Sequence, residues 1–134
     1  MVERVTKRGL MLSISLLVAK RSTCKRLQVG SIITDDDFSN IYSMGYNGGY
    51  AGDSNETCTG EPGKCGCLHS EINALIKKTG GDVMFVTSSP CVMCAKAIIN
   101  AGIKKVYYHE LYRDDAGIVI LRDAGVKVIH ISTK

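Results

Sequence analysis

Long apolar runs are missing from this chain of 134 residues. No stretch approaches the roughly 20 apolar residues that a membrane-spanning helix needs, which excludes a protein that crosses the membrane as a helix. The apolar stretch at residues 10–19 is interrupted by Ser13 and Ser15. It also lacks a small-residue cleavage pattern, so a secretory signal is not expected. We therefore expect a cytoplasmic protein without a membrane partner.

Acidic side chains are scarce at the start of the chain. The first 26 residues contain Glu3 alone against seven Lys and Arg residues, although the net charge of the whole chain is only +4. Such a basic end can bind nucleic acid or phosphate, or it can be the solvated face of a helix. Because no second basic patch follows, we do not expect nucleic acid to be the partner. Arg26 is the one cation in this segment that we single out for a binding role.

Internal repeats and low-complexity linkers are absent as well. The chain has an apolar fraction of 45% and a charged fraction of 22%, which are ordinary values for a globular protein. A chain of this length can bury one hydrophobic core. Residues 1–134 are therefore expected to form a single domain.

Apolar periodicity and turn residues predict both helices and strands. The predicted helices are 2–21, Leu68 to the Gly80–Gly81 pair, 91–101 and 114–124. The predicted strands are 29–34, 40–46, 83–87, 104–109 and 126–131. A polar, Gly-rich loop from Gly45 to Cys67 separates the first two strands from the second helix. The alternation of strands and helices late in the chain favours an α/β sandwich with parallel pairing at its edge.

Two short segments carry residue types that bind metal ions. They are His69-Ser70-Glu71 and Pro90-Cys91-Val92-Met93-Cys94, each at the start of a predicted helix. Residues three apart on a helix lie on the same side, so Cys91 and Cys94 can face one ion together with His69. One imidazole and two thiolates suit zinc, and helix N-termini stabilise thiolates. Structural zinc usually has four protein ligands and catalytic zinc keeps a position for water, so three ligands predict a catalytic site.

Glu71 lies two residues from His69 and is the predicted proton shuttle. Zinc lowers the pKa of a bound water toward about 7. The pattern is that of zinc nucleobase deaminases, and it predicts that Glu71 passes a proton from this water to N3 of a cytosine, which loses ammonia and becomes uracil. Two plainer interpretations stay open. Cys91 and Cys94 can be half of a four-cysteine zinc knuckle, and Glu71 can simply offset a helix dipole.

The chain has six cysteines, of which four lie outside this pattern. Without an export signal, reduced thiols are more common than disulfides. The four residues are Cys24, Cys58, Cys65 and Cys67. They form either a second, closed zinc site that fastens the long loop, or free thiols. The single residue between Cys65 and Cys67 is a tighter spacing than the usual two to four.

The order of motifs along nearly the whole chain resembles that of the deoxycytidylate (dCMP) deaminases in the cytidine deaminase superfamily. The matching segments are 21–26 with Val29-Gly30, 45–48, 69–74, 90–95, 98–103 and Tyr112. Two positions depart from the family pattern. Ser70 replaces the usual Ala between His and Glu, and Gly49-Tyr50-Ala51 follows Gly48 where the family continues to a Pro.

The resemblance implies a three-layer α/β/α fold with a five-stranded mixed sheet flanked by helices. It implies a homo-oligomer, typically a hexamer, that binds Zn²⁺ and converts dCMP to dUMP for thymidylate synthesis. It also implies activation by dCTP and inhibition by dTTP, with Mg²⁺ accompanying a nucleoside triphosphate. In some family members the cysteine that matches Cys24 helps to bind a structural zinc.

Three further residues are candidates for binding the substrate. Asn47 matches the family residue that holds the deoxyribose hydroxyl, although an Asn-Gly pair is also a common turn. Arg26 is the candidate for the 5′-phosphate because a guanidinium binds phosphate oxygens through two parallel hydrogen bonds; its alternative is a surface charge. Tyr112 can line the base pocket by stacking, or it can simply pack at a strand end.

Two other functions stay open on the same motifs. The chain can be a deaminase of another base, namely the wobble adenosine of tRNA or guanine, because tRNA deaminases share the His-x-Glu and Pro-Cys-x-x-Cys pattern. The turn at 45–48 and the missing second basic patch favour a nucleotide instead. The chain can also be a non-catalytic zinc-binding module, such as a regulatory or competence-related protein. The intact Glu71 disfavours that function, since zinc binding alone does not require this carboxylate.

Overall fold

The computed structural model describes residues 2–62 and 64–133. Its helices are α1 (Lys7–Ala19), α2 (Ser70–Ile76), α3 (Val92–Asn100) and α4 (Ala116–Asp123). Its strands are β1 (Gly30–Thr34), β2 (Ile41–Tyr46), β3 (Val83–Ser88), β4 (Lys105–Glu110) and β5 (Lys127–His130). No helix within the described ranges has the length and apolarity needed to cross a membrane.

The strands form one mixed sheet in the order β2-β1-β3-β4-β5. β1 pairs antiparallel with both β2 and β3, whereas β3, β4 and β5 run parallel to one another. Parallel neighbours need a crossover connection, and α3 and α4 supply the two crossovers. The five-stranded mixed sheet and the parallel pairing of the last strands are therefore confirmed.

Helices cover both faces of the sheet. α1 packs on one face, where Met11 joins a buried cluster that contains Ile32 and Phe85. α2, α3 and α4 pack on the other face around a second cluster that contains Met84 and Val106. β1 and β3 are buried along their whole length because both of their faces are covered. The three-layer α/β/α sandwich is therefore confirmed.

Two glycines let helices approach the sheet closely. A Cβ atom at Gly45 on β2 would collide with the Ser70 carbonyl oxygen and the Ala74 nitrogen of α2. A Cβ atom at Gly30 on β1 would likewise collide with the Ser15 carbonyl oxygen of α1. A larger residue at Gly45 would push the start of α2 away from the sheet. This glycine therefore fixes where the His69 segment lies.

The first helix is shorter than the predicted range of 2–21. It begins at Lys7 and ends at Ala19. Thr6 is extended, and its hydroxyl accepts a hydrogen bond from the Gly9 N–H at 3.0 Å, which makes Thr6 the N-cap. The prediction was wrong for residues 2–6, because apolar periodicity carries no information about a hydroxyl group that caps the helix.

The second helix also ends before the predicted Gly80–Gly81 pair. It stops at Ile76. Gly81 has a φ of +83° and lies against Tyr42 and the Thr34 carbonyl oxygen, where a Cβ atom would meet both at under 3.0 Å. The glycine pair therefore serves the turn into β3 and does not end the helix. The other predicted helices and strands agree with the structure to within two residues at each end.

Candidate active site

The predicted metal ligands meet where the starts of two helices face each other at the end of a strand. His69 is the N-cap of α2, and Cys91 is the N-cap of α3, which follows β3. Both were predicted to lie inside the first helical turn, and they lie at the cap position instead. The Cys91 sulfur accepts a hydrogen bond from the Cys94 N–H at 3.5 Å, so this ligand also caps its own helix. The unpaired N–H groups and the dipole of α3 favour a thiolate at this place.

The three donor atoms have the spacing of zinc ligands. His69 Nδ1 lies 3.2 Å from Cys94 Sγ and 3.5 Å from Cys91 Sγ, and all three atoms are within 4.8 Å of one another. Tetrahedral zinc, with Zn–S bonds of about 2.3 Å and Zn–N bonds of about 2.0 Å, places such atoms roughly 3.6 Å apart. The three side chains therefore fit a single zinc ion as three of its four ligands.

The ligand side chains shift one another's pKa values. A hydrogen bond with Cys94 and another with His69 lower the pKa of the Cys91 thiol to about 4. The contact with Cys91, together with burial, raises the pKa of the Cys94 thiol above its ordinary value. The Cys91 sulfur also raises the pKa of His69, although burial opposes this shift. The lowered pKa of Cys91 favours its thiolate form, and a divalent cation can replace the proton on Cys94.

Glu71 lies beside these ligands as the second residue of α2. Its side chain is buried, with 4% exposed. Burial raises the pKa of the carboxyl group, and this shift is opposed by its own N–H and by the Ser70 hydroxyl, which donates to Oε1 at 2.8 Å. A carboxylate with a raised pKa takes up a proton more readily than an ordinary carboxylate does. This is the property that general acid–base catalysis requires.

One pocket collects most of the predicted site residues. β3 and β4 end beside it, as is usual for ligand sites at the carboxyl ends of parallel strands. The predicted residues in its wall are Arg26, Asn47, His69, Glu71, Cys91 and Tyr112. Ser88 and Ser89 also line the pocket, and the Ser89 hydroxyl accepts a hydrogen bond from the Tyr112 N–H at 2.7 Å. The end of β3 therefore positions Tyr112, a contact that the sequence did not indicate.

Asn47 stabilises the chain that leads into β1. It is 3% exposed, and its Oδ1 accepts a hydrogen bond from the Val29 N–H at 2.8 Å. Its Nδ2 donates to the Leu27 carbonyl oxygen at 2.7 Å. An amide side chain offers two donors and two acceptor lone pairs, so one of each is left for a ligand. The structural role was not predicted, and the binding of a sugar hydroxyl stays a prediction.

Arg26 and Arg113 both lie over the ring of Tyr112. Their guanidinium carbons lie 5.4 Å and 5.0 Å from the ring centroid. Both arginines also line a hollow beside His69 and Cys91. Arg26 Nε is buried and has no hydrogen-bond partner within the part of the chain that the structure describes, which is costly unless a ligand accepts from it. Arg113 was not predicted from the sequence. The only signal for it was that this cation directly follows the candidate Tyr112.

The remaining four cysteines form a second cluster. Its members are Cys24, Cys58, Cys65 and Cys67, whose sulfur atoms lie within 4.8 Å of one another as free thiols. Cys24 Sγ is 3.9 Å from Cys65 Sγ and 3.8 Å from Cys58 Sγ. The tight spacing between Cys65 and Cys67 is possible because Gly66 adopts a φ of +80° and turns the chain back on itself.

Sequence comparison identifies relatives of the chain. Residues 6–110 match a family model described as the cytidine and deoxycytidylate deaminase zinc-binding region. The chain is 38% identical to ComE operon protein 2 of Bacillus subtilis (strain 168) over 122 residues, which cover 84% of this chain and 64% of that protein. It is 32% identical to the deoxycytidylate deaminase of Schizosaccharomyces pombe over 130 residues, which cover 84% of this chain and 40% of that protein. The chain thus spans less than two thirds of the length of these curated relatives.

A solved structure matches nearly the whole chain. The crystal structure of the dCMP deaminase from the cyanophage S-TIM5 in complex with dCMP and dUMP has a TM-score of 0.81 and 34% identity, covering 92% of this chain and 96% of that one. The shared fold and the three-ligand centre define a zinc-binding deaminase domain. Because the family model covers far more than half of the sequence, the chain belongs to the cytidine and deoxycytidylate deaminase family.

Proposed function

We propose that this chain catalyses the hydrolytic deamination of dCMP to dUMP with release of ammonia. The observation that carries the proposal is the position of Glu71, a buried carboxyl group with a raised pKa beside three zinc ligands. A purely structural zinc would need a fourth protein ligand and would not require this carboxylate. The likeness to the cyanophage dCMP deaminase, whose crystals contain dCMP and dUMP, supports the choice of substrate.

The side chains of the site have separate tasks in this reaction. A zinc ion held by His69, Cys91 and Cys94 would supply a water of lowered pKa. Glu71 would take a proton from this water and deliver it to N3 of the cytosine ring, while the water oxygen adds to C4. A second proton transfer, to the amino group, lets the C4–N bond break and ammonia leave, and the product is dUMP. The burial of Glu71 raises the pKa of its carboxyl group, which makes the carboxylate a stronger base for the first of these transfers.

Arg26 and Arg113 bind the 5′-phosphate in this proposal. Both lie at the hollow beside the metal ligands, and Arg26 Nε needs an acceptor that a phosphate oxygen can provide. Both guanidinium groups lie over the ring of Tyr112, which lines the pocket. Asn47 contributes its remaining donor to the deoxyribose hydroxyl. This arrangement favours a nucleotide over a free nucleoside.

The proposal includes a structural zinc at the second cysteine cluster. Four thiolates around tetrahedral zinc, with Zn–S bonds of about 2.3 Å, lie roughly 3.8 Å apart. The separations of Cys24 from Cys58 and from Cys65 are 3.8 Å and 3.9 Å, which supports this assignment. A hydrogen bond from the Lys25 N–H lowers the pKa of the Cys58 thiol to about 6, which favours the form that binds zinc.

We further propose that the protein is a homo-oligomer, a hexamer by the family resemblance. Its dUMP would supply thymidylate synthesis, and dCTP and dTTP would regulate it. A cavity of about 410 Å³ that shares no lining residue with the active-site pocket includes Arg21, Lys77, Tyr46 and Tyr50 in its wall. Its volume suits a small ligand, and two cations with two aromatic rings suit phosphates and a base. Mg²⁺ would accompany the triphosphate. Light scattering with and without dCTP measures the assembly.

Ammonia release from a panel of substrates tests the proposed reaction. The zinc-loaded protein is incubated with dCMP, deoxycytidine, guanine and a tRNA anticodon stem. The proposal expects ammonia from dCMP at a kcat/KM far above that for deoxycytidine, because only the nucleotide offers a phosphate to Arg26 and Arg113. Release from tRNA or guanine alone would establish a deaminase of another base. Release from none of the four would favour the non-catalytic zinc-binding module.

A further inference from the structure

Two buried serines form a chain of hydrogen bonds that ends on Glu71. Ser70 Oγ lies 2.8 Å from Glu71 Oε1, and Ser31 Oγ lies 2.7 Å from Ser70 Oγ. Both serines are fully buried, with 0% of their surface exposed. This series of hydrogen bonds therefore runs from the sheet in the middle layer of the protein to the carboxylate in the active site without reaching solvent.

The direction of these hydrogen bonds follows from the chemistry of the groups. An ionised carboxylate can only accept, so the Ser70 hydroxyl donates its single proton to Glu71. The contact between the two serines must then use the Ser31 proton, with Ser70 Oγ as the acceptor. Each hydroxyl proton therefore has one acceptor. While Glu71 is ionised, the two hydrogen bonds can have only this direction.

The fold brings the two serines together from distant parts of the sequence. Ser31 lies on β1 and points to the same face as Ile33, which packs in the cluster that includes Ala74 of α2. Ser70 is the first residue of α2, and its close approach to the sheet depends on the missing side chain at Gly45. The contact is therefore fixed by the packing of α2 on the sheet.

In this chain the contact restrains a carboxylate whose last torsion is soft. The terminal χ3 angle of Glu has a broad, roughly twofold energy profile, so an unrestrained carboxylate rotates readily. With Oε1 held by Ser70, the rotation of the Glu71 carboxylate is restrained, which favours Oε2 as the oxygen for proton transfer. Proton transfer depends steeply on such alignment.

We propose that Ser70 and Ser31 are positioning residues that orient the Glu71 carboxylate for proton transfer, with Ser31 acting through Ser70. This inference rests on the proposed deamination of dCMP. Ser70 also borders the active-site pocket, but it is fully buried and its hydroxyl proton is donated to Glu71. We therefore expect the loss of either serine to affect kcat and to leave the KM for dCMP nearly unchanged.

Ser43 offers a matched control. It is a buried serine on β2 whose hydroxyl donates to the Ala74 carbonyl oxygen of α2 at 2.6 Å. It therefore joins the sheet to the same helix, but it has no link to Glu71. A serine that only stabilises α2 and a serine that orients Glu71 can be told apart by comparing the two.

The test measures kcat and KM for dCMP, zinc per chain and thermal stability in four variants. These are Ser70→Ala, Ser31→Ala, the double variant with both changes, and Ser43→Ala. We expect Ser70→Ala to lower kcat by about 10-fold to 100-fold, which is the range for a misaligned catalytic group, with KM within about twofold of wild type. Ser31→Ala lowers kcat by less, and the double variant matches Ser70→Ala. Ser43→Ala loses stability but keeps kcat.

Several outcomes overturn the inference. They are a kcat for Ser70→Ala equal to that of Ser43→Ala, a KM that rises in step with the loss of kcat, or a double variant whose loss is the product of the single losses. If Ser70→Ala does not fold, the result for Ser31→Ala decides alone. An unchanged kcat in Ser31→Ala would contradict the proposal that Ser31 acts on Glu71 through Ser70. A wild-type protein that does not deaminate dCMP overturns the proposed function itself, which separates the two failures.

Discussion

Among single residues, Arg26 has a buried donor at the edge of the site that a ligand could satisfy. Its Nε is buried without a partner among the described residues, and its guanidinium lies over the ring of Tyr112. An unsatisfied buried donor costs about 1–3 kcal/mol, and a phosphate oxygen would remove that cost. Arg4, by contrast, is exposed in the segment before α1 and carries the same charge without the same surroundings.

We expect Arg26→Ala to raise the KM for dCMP by about 10-fold or more, because a charge-assisted hydrogen bond contributes about 1.5–3 kcal/mol. The kcat/KM for deoxycytidine should stay nearly constant, since that substrate has no phosphate. Steady-state kinetics on both substrates measure the two effects, with Arg4→Ala as the control for loss of charge. An unchanged KM for dCMP in Arg26→Ala would refute the assignment of the phosphate site.

The residues that could be predicted from the sequence are those whose signal is local. His69, Glu71, Cys91 and Cys94 follow short spacings at helix starts, and the structure brings these residues together. The contact between Ser31 and Ser70 could not be predicted, because it joins residues 39 positions apart through the packing of α2 on β1. Local patterns carry no information about such a contact.

Among the elements, the β1–β2 hairpin depends on one carboxylate at its turn. Asp35 Oδ1 accepts from the N–H groups of Ser39 at 2.8 Å and Asn40 at 3.3 Å, and Oδ2 accepts from the Asn40 side chain at 2.7 Å. The hydrogen bond from the Asn40 side chain is the main reason why the pKa of Asp35 falls to about 2. The hairpin holds β1 in place, and β1 carries Ser31.

We expect Asp35→Ala to destabilise the protein at neutral pH and to matter less in acid. The folded pKa of about 2 lies below the ordinary value of 3.8, so the stabilisation is complete above about pH 4 and is lost as the pH falls toward 2. Urea unfolding of variant and wild type at neutral pH and near pH 2 measures the difference. Asp123→Ala, at an exposed position on α4, is the control. A difference in unfolding free energy that is the same at both pH values would count against the role of Asp35.

The order and type of the elements could be predicted, but some of their ends could not. Alternating apolar segments predict the sheet and its helices, since burial on both faces imposes those patterns. The end of α2 was predicted at the Gly80–Gly81 pair, but Gly81 lies against Tyr42 and Thr34 from the hairpin instead. A glycine pair can end a helix or serve a close approach of this kind, and only the tertiary structure distinguishes the two.

At the scale of the whole molecule, the second cysteine cluster joins segments that also carry the active site. Cys24 lies two residues before Arg26, and Cys67 lies two residues before His69. The cluster also includes Cys58 from the long loop. A zinc ion here would connect the segment that we propose to bind phosphate, the loop, and His69, the first of the proposed catalytic metal ligands. Its loss should therefore reach beyond local stability.

We expect the wild-type protein to contain two zinc ions per chain, one for each ligand cluster, and Cys58→Ser to contain one. The variant should also unfold at a lower temperature, because bound metal stabilises the folded chain. Metal analysis and thermal denaturation measure both. Cys91→Ser is the complementary variant, which should lose the other ion and the activity. One zinc per chain in both wild type and Cys58→Ser would show that the second cluster consists of free thiols.

The rate of dUMP formation by zinc-loaded Glu71→Gln tests whether Glu71 transfers the protons of the deamination. The substitution keeps the size of the side chain and removes its ability to exchange a proton. We predict that zinc per chain stays at the wild-type value while kcat for dCMP falls by at least about 10²-fold to 10⁴-fold, the contribution of a general acid–base group. A variant that retains zinc and still forms dUMP at the wild-type rate would contradict the account.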